Sequence, residues 1–163
     1  MSRALLSLLL VAALFLWAGL VVGISFLEAP LKFTAPHITT VLGVGIGRIV
    51  FAALNKLELG LCAVGLLSAA GLRAPARVWW GLGVLSLILL VQTVGLLPAL
   101  DARALALQAG REVAPTLLHP TYIGLEITKL LTLLYTGSTA FYWLLQPAPA
   151  AVGAVQPRPA VFS

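Results

Sequence analysis

Charge is scarce in this chain. Charged side chains make up 9% of its 163 residues, ten basic and five acidic, where soluble domains average about 25%. So few charges cannot clothe a water-facing surface, which excludes a free-standing soluble domain and leaves the lipid bilayer as the solvent. The net charge of +5 and the pI near 10.0 do not indicate nucleic acid, because the basic residues are scattered singly and form no stripe. A lone cysteine, Cys62, excludes an intramolecular disulfide and any metal-type cysteine pair. Ser25, Ser68 and Ser86 lie in no G-x-S-x-G context. Gly43, Gly45 and Gly47 match neither phosphate-loop spacing, so their expected use is a bend or a close helix contact. The chain is not expected to be an enzyme. Glu58 and Glu126 could act as an acid–base pair only if a substrate reached them.

What the chain has in quantity is hydrocarbon: 61% of residues are hydrophobic and the mean hydropathy is +1.07. The pattern predicts an all-α integral membrane bundle of about four transmembrane helices, since about 20 apolar residues suffice to cross a bilayer. The spans are expected at residues 4–27, 55–72, 78–97 and 118–145. The first begins after Arg3 like a signal peptide, but its apolar core is too long and no small-x-small cleavage site follows, so it is read as retained. Its Gly19-x-x-x-Gly23 spacing suggests a packing face. Pro30 and Pro36 are expected to end this helix, and Pro30 to prevent a Glu28–Lys32 helical ion pair. Residues 39–72 are too long for one perpendicular span. They are divided into a short interfacial or re-entrant helix, about 39–54, and the second span; one long second helix remains the alternative. The third span opens on Trp79 and Trp80, as an interfacial aromatic belt would, and is expected to end at Pro98, with a short surface helix near Ala102 to Gln108 beyond it. Residues 147–163, rich in proline and alanine, read as a disordered tail.

Orientation follows from basic residues in short loops. With both termini cytoplasmic, Arg3, Arg73, Arg77 and Arg158 lie inside with no acidic neighbour. Lys32, Arg103 and Arg111 lie outside beside Glu28, Asp101 and Glu112. The expected location is therefore the cell membrane, multi-pass, with both termini in the cytoplasm.

The informative residues are the polar ones inside apolar spans. In the last span His119, Tyr122, Glu126 and Lys129 fall within about 80° of one another on the helix surface. Ionisable groups in hydrocarbon are costly and normally face a bundle interior or a wet cavity. Glu58, Gln92, Glu126 and Lys129 all fall a short way inside the outer ends of three spans, so a shared polar layer is expected. Asn55, Glu58 and Cys62 share one helix face, joined by Arg48 if that helix is continuous. The candidate ligand or ion-pair residues are thus Glu58, Gln92, His119, Tyr122, Glu126 and Lys129, with Arg48 and Asn55 secondary. His37 and His119 lie on the same side, so a metal or haem pair is geometrically possible. As plain interfacial residues, however, they would need no ligand.

Two functional readings follow. One is an outward-facing site that binds or conducts an ion or a small polar ligand, with the bilayer as partner and a homo-oligomer possible. The other is a non-catalytic structural or partner-binding protein whose charges only hold the bundle together. The cofactor is not identified. The first span leading into GISFLEAPLKFTAP, the glycine-rich segment followed by R-I-V-F, and the histidine opening the last span resemble small four-helix membrane families. These are the families related to the copper-resistance D protein and a eukaryotic four-helix family of unknown function. The resemblance implies a role in copper or ligand handling, and no ligand residues are carried over from it.

Overall fold

The computed structural model describes residues 1–146, and every element among them is helical. Four helices follow one another: α1 (Arg3–Thr34), α2 (Thr40–Leu72), α3 (Ala76–Gln108) and α4 (Leu118–Leu145). The first three are long and apolar enough to cross a membrane. Side-chain oxygens cap two of the starts, Ser2 accepting from the Leu5 N–H and Thr39 from the Leu42 N–H, which satisfies donors a helix leaves open. α2 stops at Arg73, whose φ of 54° is left-handed. There the Ala74 N–H bonds the Ala69 carbonyl at 2.9 Å, a Schellman closure.

Two prolines expected to stop helices do not. α1 runs through Pro30 and α3 through Pro98, and in both cases a π-helical turn comes just before, Val22–Glu28 in α1 and Gln92–Leu96 in α3. A proline ring collides with the carbonyl four residues back and offers no N–H. Those carbonyls, of Phe26 and Val94, lie inside the widened turns. The Ala29 N–H reaches Ile24 and the Leu97 N–H reaches Gln92, five residues back, so the chain absorbs the proline without breaking. The separate surface helix expected near Ala102 to Gln108 is therefore the end of α3. The Glu28–Lys32 pair also forms, at 3.3 Å, because Pro30 sits within a continuous helix. Only at Ala35, ahead of Pro36, does α1 give way to extended backbone.

The interfacial or re-entrant helix expected over residues 39–54 is likewise the first half of α2, which is unbroken. Gly43, Gly45 and Gly47 lie within this unbroken helix. They give the bare surface on which Phe33, Gln108 and Lys32 lie, so the close contact expected of them is found. Gly19 and Gly23 have no neighbour within 4 Å of where a Cβ would stand. The expected packing face is therefore not used within this chain, and α1 instead packs through Leu10, Leu14, Trp17 and Val21.

Each helix packs against the ones next to it in sequence, and α4 returns to α1, closing a four-membered ring. Inside it Leu10, Leu14 and Trp17 of α1 meet Ala69 of α2, Val78, Leu82, Leu85 and Leu89 of α3, and Leu133 and Ala140 of α4. α3 and α4 are in tight contact at Gly81, where a Cβ would collide with the Thr136 side chain. The tail read as disordered, residues 147–163, lies outside the described residues.

Candidate functional site: a buried charge cluster at the foot of a cavity

The apolar core described above occupies one half of the ring, and charged groups occupy its middle. Lys129 of α4 is fully buried. Its Nζ lies 2.5 Å from Glu58 Oε1 on α2, 2.8 Å from Gln92 Oε1 on α3 and 2.7 Å from Glu126 Oε1 one turn away on α4. The contacts with Glu58 and Gln92 are hydrogen bonds, and the contact with Glu126 is an ion pair. Gln92 Nε2 donates to Glu126 Oε1 at 2.8 Å, so the amide is used at both ends. α1 adds two donors: Trp17 Nε1 to Glu58 Oε1 at 2.8 Å and Ser25 Oγ to Glu126 Oε2 at 2.7 Å. All four helices therefore contribute, and Glu58, Gln92, Glu126 and Lys129 are each no more than 1% exposed.

The four residues expected in a common polar layer are in direct contact. The layer lies deeper than expected, however. Glu58 and Gln92 sit near the midpoints of α2 and α3 rather than near their outer ends, because both helices continue past the glycines and prolines expected to divide or stop them. The π-turns bear on the site directly. One holds Ser25 and the other opens on Gln92, so the widened turns present two of its hydrogen-bonding side chains.

A partly open cavity of about 790 Å³ leads to this cluster. Its lining includes Ser25, Asn55, Thr93, Tyr122 and Glu126, with Lys32, Arg48, Lys56, Asp101 and His119 along the flanking turns. Asn55 is fixed by a 2.9 Å bond from Nδ2 to Thr93 Oγ1. Tyr122 packs edge-on against Phe51 with ring centroids 5.4 Å apart. Arg48 pairs with Asp101, joining α2 to the part of α3 beyond Pro98. Of the candidate residues, Glu126, Tyr122 and Asn55 thus line the cavity together with the exposed His119 and the half-buried Arg48. Glu58, Gln92 and Lys129 lie behind Glu126. His37 is exposed, has a left-handed φ of 65°, and is not part of the lining. Among the described residues no three His, Cys, Asp or Glu side chains converge as metal ligands.

Two participants had no counterpart in the sequence reading. Trp17 and Ser25 belong to a span that looks purely apolar. The usable signal was position: Trp17 lies well inside a span, away from the interfaces where tryptophan concentrates, and a buried indole N–H needs an acceptor.

Chemically, two carboxylates share one ammonium. The cluster carries one excess negative charge whenever both are ionised, and only Glu126 faces the cavity. A cation or a proton arriving there would balance the cluster. No protein-family model, curated protein or solved structure matches the chain.

Proposed function

We propose that the chain is a multi-pass integral protein of the cell membrane, with four spans and both termini cytoplasmic, whose cavity opens outward and binds an ion or a small polar ligand at Glu126. The observation that carries this reading is the cavity of about 790 Å³ whose lining includes Glu126 of the buried cluster. A polar network that served only to hold helices together would need no such access. The excess carboxylate favours a cation, a proton or a small ligand with a cationic group over an anion at this position. The role is binding or conduction rather than catalysis. Copper, implied by the sequence resemblance, is one of the cations to be tried.

The second reading, a structural or partner-binding bundle, is favoured by the surroundings of the buried Lys129. Its ammonium group hydrogen-bonds Glu58 and Gln92 and pairs with Glu126, as in a network that fixes helix register. One experiment separates the two. Purified protein in detergent is melted against a panel of monovalent, divalent and copper ions and small amines, beside elemental analysis of the protein as isolated. A ligand of the folded state stabilises by mass action, about 2.7 kcal/mol at 100 times its Kd. The binding reading expects such a shift for the wild type and its loss in Glu126→Gln. A panel that moves neither protein supports the structural reading.

A further inference from the structure

The central cavity has a neighbour on the outer surface of the bundle. Between α2 and α3 a lateral pocket of about 330 Å³ is lined by Arg48, Ile49, Ala52, Ala53, Lys56 and Asp101. Arg48, Ala52, Lys56 and Asp101 belong to both spaces, so the Arg48–Asp101 pair stands in the wall between them. Asp101 offsets the charge of Arg48. Lys56 has no carboxylate partner among the described residues and its side chain is exposed. Around it the surface is apolar, with Ile49 68% and Leu57 54% exposed. An unpaired ammonium on such a face must reach the polar layer of a membrane or meet an anion.

Helix register gives the depth. Trp79 and Trp80, both exposed at the start of α3, suit one membrane interface. Asp101 lies about 21 residues further along that helix, about 32 Å at 1.5 Å per residue, close to the thickness of a hydrocarbon core of about 30 Å. On α2, Arg48 stands about 25 residues from Arg73, or about 38 Å. Lys56 is about 17 residues from Arg73, about 26 Å, and its side chain leans toward the helix N-terminus, the direction of Arg48. Both cations therefore reach the level of the lipid phosphates, in the leaflet opposite the tryptophan pair.

We propose that this lateral pocket holds the phosphate of an anionic lipid headgroup between Lys56 and Arg48, with the acyl chains lying along the exposed faces of α2 and α3. The assignment rests on the membrane reading above and not on which ligand enters the central cavity. A lipid phosphate and a free phosphate offer the same oxygens, so the experiment keeps them apart. Purified protein in neutral detergent is melted against phosphatidylglycerol, phosphatidylcholine and inorganic phosphate at matched ionic strength. Phosphatidylglycerol is expected to raise the midpoint in a saturable manner while the other two do not. In Lys56→Gln the half-saturating concentration should rise about fivefold, and Lys56→Arg should restore it. Equal responses to the two lipids, a full response to inorganic phosphate, or wild-type titration of Lys56→Gln would each overturn the proposal. If Lys56→Gln does not fold, the three wild-type titrations and Lys56→Arg decide, since the arginine must retain the lipid response. Recovery of the chain in the aqueous fraction without detergent would instead refute the membrane reading itself.

Discussion

Lys129 is the residue on which the cluster depends. It holds a carboxylate from its own helix, another from α2 and an amide from α3. Removing it leaves Glu58 and Glu126 facing each other without their counter-charge, whereas removing one carboxylate leaves a one-to-one pair. Lys129→Met is therefore expected to destabilise by about 3–5 kcal/mol, more than Glu58→Gln or Glu126→Gln alone. The triple change, with all three charges gone, should lie nearer the wild type than Lys129→Met does. Thermal melts in detergent read this directly, and losses that simply add across the three sites would mean that the residues do not act as one network. At this scale the sequence was informative where a residue type is improbable. Glu58, Glu126 and Lys129 stand out because carboxylates and ammonium groups are rare inside apolar spans. Ser25 was not legible as a partner, because serine is ordinary in such helices, and Trp17 was marked only by its position away from the interfaces.

Among the elements, the four helices were legible from apolar run length, and α4 was legible at both ends, but the start of α2 and the ends of α1 and α3 were not. Pattern reading treats proline as a stop. Here a π-turn ahead of Pro30 and another ahead of Pro98 carry the helices through, and nothing in a hydropathy profile distinguishes a widened turn from a regular one. The consequence is structural. The part of α3 beyond Pro98 brings Asp101 to Arg48, and the part of α1 beyond Pro30 lays Lys32 and Phe33 against the glycines of α2, so part of the cavity wall is made from segments that the sequence suggested were loops. Close approach was also misplaced. A Cβ at Gly19 or Gly23, with the familiar spacing, would meet no other described residue within 4 Å, while one at Gly81 would collide with Thr136. Thr136 is fully buried and its Oγ1 has no hydrogen-bond partner among the described residues, so packing is what holds its side chain there. Gly81→Ala should lower stability by about 1–3 kcal/mol through overpacking, and adding Thr136→Ala should recover part of that loss. A melt unchanged by Gly81→Ala would mean that α3 and α4 can separate at no cost.

At the scale of the molecule, composition alone pointed to a helical bundle with a bilayer for solvent, and α1, α2 and α3 meet that description by length and apolarity. α4 is the element that tests it. Glu126 and Lys129 dilute its hydrophobicity, yet both are buried against the other helices, and its outer face leaves Leu131, Tyr135 and Phe141 exposed. A helix whose charges are all turned inward can cross a membrane that its composition alone would not favour. Reporter fusions make the distinction. With four spans, reporters in the Arg73–Arg77 loop and after Gln146 should both read cytoplasmic, and reporters at Ala35 and Ala109 should both read external. A tail that reads external beside a cytoplasmic Arg73–Arg77 loop would mean that α4 does not cross, and the buried contacts of Lys129 would then have to form at a membrane surface. A cytoplasmic reading at Ala109 would invert the bundle. The cavity that ends at Glu126 would then open to the cytoplasm, and the ion or small ligand it accepts would be one supplied from inside the cell.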